Sequence, residues 1–339
     1  MTALANSGLD RVGVVAIGRN EGERLRRCLA SVGQGLHRVY VDSASSDDSV
    51  AMARAMGVEV VELATPPALS AARGRNAGMA QLIAAVPDLR YIQFVDGDCE
   101  VQPGWIAAAV AALDADPGLG IVFGRRRERH PDASIYNALC NDEWNVPIGE
   151  AQACGGDIMA RVDAIRAIGG YDAAMIAGED PDMAYRLRKA GWRLRRLDAE
   201  MTLHDAAILR FDQWWKRATR AGHAFAELAR RHPERQRQRL RVIGWGLALP
   251  LLVLASVIAA LAIDARLGLI ALGGTGLWLA QALRIAWRRR RDLPPRIALA
   301  YGFLLMIGKF AEAIGLVRFE RGRLGGVKAG LIEYKGASR

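Results

Sequence analysis

The sequence predicts an α/β fold, a mostly parallel sheet with helices on both faces, followed by a helical membrane region. Three observations carry this expectation. Residues 11–208 alternate short apolar runs with segments of helical periodicity. Residues 242–263 run 22 positions without a charge, which as a helix reaches ~33 Å and covers a hydrocarbon layer of ~30 Å. The basic excess, a formal +10, sits beside the apolar segments. Residues 1–208 hold 22 Lys/Arg against 28 Asp/Glu, whereas 209–241 hold 10 against 3, 288–296 hold 5 against 1 and 318–339 hold 6 against 2. A nucleic-acid protein would carry its cations on the folded reading domain. Cations in short segments flanking spans fit a membrane protein instead, so no nucleic-acid partner is expected.

The elements follow in order. Arg11–Ile17 (RVGVVAI) reads as a buried strand, and Glu21–Val32 as a helix with Leu25, Cys28, Leu29 and Val32 on one face. His37–Asp42 is a second strand, Ser49–Met56 a second helix and Val58–Leu63 a third strand. Ala71–Val86 is a third helix, ended by Pro87, and Tyr91–Val95 (YIQFV) a fourth strand. In such sheets ligands bind beyond the carboxyl ends of the strands. The segments that matter are therefore Gly18–Glu21, Asp42–Ser49 and Asp96–Glu100.

Residues 1–208 read as one α/β domain and 209–241 as a basic amphipathic segment. Within the latter, Phe211, Trp214, Trp215, Ala218, Ala221, Phe225 and Leu228 recur at helical spacing among Lys216, Arg217, Arg220, Arg230 and Arg231. Paired tryptophans with flanking cations suit a helix in the headgroup layer, attracted by anionic lipids; packing on the domain is the alternative. Residues 242–317 form the membrane region, with spans at 242–263 and 267–287 joined by a three-residue link. The apolar stretch 297–317 carries Lys309 and Glu312 on one face. Crossing there would put the basic tail 318–339 outside, against the positive-inside bias, so a re-entrant or in-plane helix is expected, with a third span as the alternative. The N-terminus, MTALANSGLDR, lacks the pattern of a signal peptide. The four cysteines, Cys28, Cys99, Cys140 and Cys154, show no paired spacing, which suits a reducing compartment.

Asp96-Gly97-Asp98 follows directly on YIQFV. Two carboxylates flanking a glycine at a strand end can share a hard cation, Mg2+ or Mn2+, that leaves positions open for a diphosphate. Asp42 ends the second strand, where its carboxylate can accept from a base or ribose, with Asp48 or Ser49 expected to cap the next helix. Gly178-Glu179-Asp180 opens a helix, EDPDMAYRLRKAGW. Acids suit a helix N-terminus, and one of them can equally act as a base near an acceptor hydroxyl. His204 lies in TLHDA after a further strand.

The order strand–RNE, strand–DSASSDDS, SAARGRNAG, strand–DGD, CGGD, GEDPDMAYRLRKAGW, then His, resembles the inverting family 2 glycosyltransferases of GT-A fold over roughly residues 11–220. The basic Trp-rich helix, the hairpin and the tail LIEYKG resemble membrane-attached bacterial members that build exopolysaccharide or lipid-linked glycans. The resemblance implies roles. Arg19, Asn20 and Glu21 would meet the nucleotide base, although Gly18-Arg19 stands where many members have a proline and an aromatic. Asp42 would bind the base or ribose, and Arg75 and Asn76 would lie near the nucleotide. Asp96 would face the ribose and sugar, sharing the metal with Asp98 and His204. Gly155, Gly156 and Asp157 would form the acceptor-side strand, and Asp180, with Glu179 beside it, the catalytic base. Gln213-Trp214-Trp215-Lys216-Arg217 departs from the QxxRW signature of processive synthases, which argues against a polymer-extruding enzyme.

The implied function is inverting transfer from a nucleotide-diphosphate sugar to a lipid-linked acceptor, such as a polyprenyl diphosphate carrier, at the cytoplasmic membrane with the catalytic domain inside. A polyprenyl-phosphate glycosyltransferase that charges the carrier directly is the nearest alternative. A nucleotidyltransferase would need a Gly- and Lys-rich phosphate loop that GRNEGER does not offer, and a silent scaffold would not need both DGD and GED.

Overall fold

The computed structural model describes residues 11–33 and 35–326. The leader reading at residues 1–10 and the tail motif LIEYKG lie outside these. Two units emerge, residues 11–131 with 140–207, and residues 132–139 with 208–326.

The first unit is built on nine strands: β1 Val12–Gly18, β2 His37–Asp42, β3 Glu59–Glu62, β4 Tyr91–Asp96, β5 Cys99–Val101, β6 Leu119–Glu128, β7 Gly149–Ala151, β8 Ile158–Arg161 and β9 Arg193–His204. Their order is β3-β2-β1-β4-β8-β6-β9-β5, with β7 also on β9. The expected parallel sheet accounts for β3-β2-β1-β4. Beyond β4 the sheet is mixed: β8 runs antiparallel to both β4 and β6, β9 runs parallel to β6, and β5 and β7 run antiparallel to β9. Crossover helices are needed only where strands are parallel. They are supplied by α1 Glu23–Ser31, α2 Ser49–Ala55 and α3 Ala71–Ala85.

Tyr91–Val95 is buried throughout, as a strand covered on both faces must be. Leu25, Cys28 and Leu29 form the buried face of α1. α3 starts at Ser70, whose hydroxyl accepts the Arg73 N–H at 3.3 Å, and it lies close on the sheet. A Cβ on Gly74 would stand 3.3 Å from Ile17, and one on Gly78 would collide with Val15. Trp105, which opens α4 Trp105–Ala115, is fully buried and donates its indole N–H to Gln93 Oε1 at 2.7 Å. The remaining helices of this unit are α6 Val162–Ala167 and α7 Glu179–Lys189, and α5 Ile135–Glu143 is divided between the two units.

The expected cap on α2 takes another form. Asp48 makes no side-chain cap hydrogen bond. Asp47 instead accepts the Ser49 N–H at 3.1 Å, and the Ser49 hydroxyl oxygen accepts the Gly22 N–H at 3.2 Å. The side chain expected to cap its own helix joins the loop after β1 to the loop after β2.

The second unit contains α8 Phe211–Arg231, α9 Gln236–Ile243, a π-helical turn at Gly244–Ala248, α10 Leu249–Ala262, α11 Gly268–Arg289 and α12 Pro295–Leu324. Among the described residues, three helices, Pro233–Ala262, Ala265–Arg289 and Pro295–Leu324, are long and apolar enough to cross a membrane. Leu251, Leu254, Ile258, Leu261, Leu272 and Leu277 are exposed along the first two, as lipid-facing side chains are. Small residues let the helices approach closely. A Cβ on Gly222 of α8 would collide with the Glu312 carbonyl, one on Gly315 of α12 with the Thr219 carbonyl, and one on Gly302 with the Ala282 carbonyl of α11. The buried face of α8, including Trp214, Thr219, Gly222 and His223, is thus covered by α12, while Leu209 and Phe211 remain exposed. α12 is one unbroken helix. Its Lys309 and Glu312 pair at 2.6 Å and are largely buried, so the protein receives the two charges.

Candidate active site

Three strand ends, β1, β2 and β4, bring their loops together, and the loops hold one another. Asn20, at φ 54°, receives a bond on each side: its N–H donates to Ser45 Oγ at 2.9 Å and its Oδ1 accepts the Ser46 N–H at 2.7 Å. Glu21 pairs with Arg24 at 2.9 Å, and Arg19 is exposed. Asp42, expected to receive a base or ribose, is only 2% exposed. One of its oxygens accepts from the Tyr40 hydroxyl at 2.8 Å and the Ser45 hydroxyl at 2.5 Å, and the other from the Ser45 N–H at 2.8 Å. Asp42 is therefore the pin of its own loop. Burial and this carboxylate push the Tyr40 phenol well above its usual value, which keeps it a donor.

Asp96-Gly97-Asp98 forms the turn from β4 to β5. The Gly97 N–H donates to Ile17 O at 2.7 Å, and a Cβ there would stand 3.1 Å from the same oxygen. A glycine between the acids lets the turn lie against β1. The two acids then part company. Asp96 Oδ1 accepts from Arg75 at 2.9 Å and its Oδ2 from Arg126 at 3.3 Å. Asp98, buried, points to His204, with Oδ2 at 3.3 Å from Nε2. His204 Nδ1 is 3.6 Å from Glu128 Oε2, and Glu128 is itself held by the N–H groups of His130 and Ala206 at 3.0 Å each. Burial and the nearby Arg126 push the His204 imidazole below its usual value, so it is neutral near pH 7 and has a nitrogen lone pair to offer.

Asp98 and His204 fit a divalent cation. Their ligand atoms lie within one metal-sized cluster, pairing a hard carboxylate oxygen with an imidazole nitrogen, a donor set that suits Mn2+. Glu128 stands behind the histidine at 3.6 Å, on the side where an outer carboxylate stands in metal sites. Cys99 lies in the same cluster, but burial raises its thiol far above the usual value, and it donates to Asp98 Oδ1 at 3.5 Å. Asp96, expected to share the metal, has both oxygens engaged by arginines, and its carboxylate also lies in a second cluster of possible ligand atoms with Cys99 and Asp157.

Asp157 and Gly156, expected on the acceptor side, both have neighbours within this cluster. Asp157 accepts the Asp96 N–H at 3.0 Å and the Thr202 hydroxyl at 2.7 Å, and it fixes the end of β4 from β8 and β9. A Cβ on Gly156 would collide with Arg75 Nη2 and stand 3.2 Å from Asp96 Oδ1, so glycine there clears a path for the guanidinium. Gly155 is exposed. Asn76 clamps Tyr171, donating to its carbonyl at 2.8 Å and accepting its N–H at 2.9 Å. Arg75 is 3% exposed and reaches Asp96, Glu179 Oε1 at 3.2 Å and Asp180 Oδ1 at 3.1 Å.

Glu179 and Asp180 open α7 behind Gly178, whose φ of 84° makes the tight entry. The helix N-terminus favours their charge, while burial opposes it. Asp180 is pushed up to about 7, chiefly by burial, against the pull of Arg75 and with a further push from Glu179 and Asp96.

Residue patterns did not reveal Arg126, Glu128, Tyr40 or Trp144, whose ring underlies the Arg126 guanidinium at 4.9 Å. Arg125-Arg126-Arg127 straddles a break in the pairing of β6 with β9, with register shifts on both sides of Arg125. Alternation therefore could not tell which arginine faces the site.

Residues 14–164 match the family model described as glycosyl transferase family 2. A pre-mycofactocin glycosyltransferase of Mycobacterium tuberculosis is 31% identical over 243 residues, which cover 66% of this chain and 48% of that protein. The chain thus spans about half the length of that relative. An uncharacterized glycosyltransferase of Mycobacterium bovis is 28% identical over 201 residues, 56% of this chain and 84% of the relative. Among solved structures, the mannosyltransferase PcManGT from Pyrobaculum calidifontis, in complex with GDP-Man and Mn2+, is similar at a TM-score of 0.53 and 18% identity, covering 93% of this chain and 87% of that one. That likeness is one of fold. Residues 14–164 thus carry a glycosyltransferase family 2 domain, set on a mixed α/β sheet of GT-A-like fold.

Proposed function

We propose that this protein transfers a sugar from a nucleotide-diphosphate donor to a lipid-linked acceptor at the cytoplasmic membrane, inverting the anomeric carbon. The observation that carries the reading is Asp180: a partly buried carboxylate pushed up to about 7, joined through one arginine to Asp96 at the end of β4. A general base works best when its pKa is near the operating pH. Asp180 takes the proton of the attacking hydroxyl, and Asp96 orients the donor sugar. Asp98 and His204 would hold a divalent cation, which supplies charge neutralisation at the departing diphosphate when bound. The pinned loops of Asn20 and Asp42 form the floor on which the nucleotide lies.

The three membrane-length helices and the Arg288–Arg291 run support a bilayer anchor with its cations on the cytoplasmic side. They also support an acceptor that resides in the membrane. A second reading comes from the relative at 31% identity, named a pre-mycofactocin glycosyltransferase: the acceptor is then a molecule of that type.

The test uses the full chain in lipid nanodiscs with Mn2+. It receives UDP-glucose, UDP-galactose, UDP-N-acetylglucosamine or GDP-mannose as donor. The acceptor is undecaprenyl-diphosphate-linked N-acetylglucosamine, undecaprenyl phosphate or pre-mycofactocin. Turnover with the first acceptor and an inverted product linkage by NMR are expected. Turnover with undecaprenyl phosphate alone gives the carrier-charging reaction, and with pre-mycofactocin alone the second reading.

A pH profile follows from the same carboxyl. Protonated Asp180 cannot accept a proton, so kcat/KM is expected to be level above about pH 7 and to fall roughly tenfold per unit below it. A profile flat from pH 5 to pH 8 would rule out Asp180 as the base.

A further inference from the structure

We propose that Arg75 is a positioning residue that ties Asp180 to Asp96, so that one guanidinium sets the separation of the acceptor-side base from the donor-side carboxylate, and that it is not itself a donor ligand. The proposal rests on the reading of Asp180 as the base.

Three elements meet at this side chain. Arg75 leaves α3. Its Nη2 reaches Asp96 at the end of β4 at 2.9 Å, and its Nη1 reaches Glu179 at 3.2 Å and Asp180 at 3.1 Å, both at the start of α7. A planar guanidinium can present both nitrogens at once in a fixed fork, which an ammonium cannot. The surroundings hold the fork in place. Gly156 leaves the corridor through which it passes, and Tyr171 lies beneath it with 5.4 Å from Cζ to the ring centroid. Asn76, the next residue along α3, fixes Tyr171 by its backbone. The chain segments SAARGRNAG and CGGD, which the resemblance assigns to nucleotide and acceptor, converge on this one contact.

A buried arginine with three acids could be a strut of the fold. The identity of its partners argues otherwise, because two of them are the acids on which the chemistry depends. The distribution of support also differs between those two. Asp96 retains Arg126 at 3.3 Å if Arg75 is lost. Asp180 makes its ion-pair contact with Arg75, and Arg126 acts on it only as a weaker charge. Disturbing Arg75 should therefore displace the base far more than the donor carboxylate, and it should lower kcat rather than raise the donor KM.

The experiment is a double-mutant cycle in nanodiscs on the donor–acceptor pair that turns over in the assay above, comparing wild type, Arg75→Lys, Asp180→Asn and the double variant. Arg75→Lys keeps the charge but not the fork. It is expected to lower kcat by ~10²-fold, the usual cost of misplacing a reacting group by about 1 Å, with the donor KM nearly unchanged. In the Asp180→Asn background the same change should cost almost nothing further, because Arg75 acts through Asp180. Gly156→Ala displaces the guanidinium without removing it and should reproduce the kcat loss, which keeps the test open if Arg75→Lys folds poorly. Losses that add in the double variant, or a donor KM that rises at constant kcat, overturn the tether while leaving the base reading intact. Full turnover by Asp180→Asn, or no turnover of any pair by wild type, removes the base reading and the tether with it.

Discussion

Asp180→Asn is expected to lower kcat by ~10²–10⁴-fold, the usual contribution of a general base, with donor affinity unchanged. The substitution is nearly isosteric, and Arg75 keeps its bonds to Asp96 and Glu179, so the packing around α7 survives. What disappears is an acid whose carboxyl is pushed up to about 7. Ordinary carboxylates are too acidic to accept a proton efficiently at neutral pH. The acid limb of the pH profile should vanish together with the rate. Steady-state kinetics alongside donor binding by calorimetry separates the two effects. Turnover equal to wild type would show that another group, or the acceptor's own charge, does without the base.

Asp98→Ala is expected to abolish the metal dependence of donor binding. Asp98 Oδ2 and His204 Nε2 stand 3.3 Å apart, both side chains buried, with Glu128 behind the imidazole. Six acids, Asp96, Asp98, Glu128, Asp157, Glu179 and Asp180, are gathered here with Arg75 and Arg126 among them. Such an excess of carboxylate repels a diphosphate until a cation enters. Loss of groups that merely orient a metal ligand costs 10–100-fold in metal affinity, so loss of a ligand itself should cost at least ~10²-fold. In wild type, EDTA should weaken donor binding and Mn2+ restore it. In Asp98→Ala neither addition should matter, and His204→Ala should behave alike. Donor affinity that ignores both the substitution and the chelator would contradict the assignment.

Much of this architecture is legible in residue order. The β1–α1–β2–α2–β3–α3–β4 succession follows from apolar runs and helical periodicity, because those patterns are set within a few residues. The position of DGD at a strand end follows from the same reading. The mixed half of the sheet is less accessible, since the order in which β8, β6 and β9 insert depends on long-range pairing that no local pattern encodes. Site roles were legible in type more than in partner. Asp42 carries the expected carboxylate, but Tyr40 and Ser45 absorb it. Asp157 carries an acid on the expected strand, but it holds the Asp96 backbone.

Residue order alone established the α/β class, the membrane-length apolar helices and the acids available for chemistry, because periodicity, hydropathy and charge are written locally. The three-dimensional arrangement alone assigned those acids their partners. Arg75 meets Asp96 across 21 residues of chain and Glu179 across 104, and Asp98 meets His204 only after β5 pairs with β9. Contacts at such separations arise when the sheet closes, and closure decides which carboxylate faces an arginine and which is left for a cation.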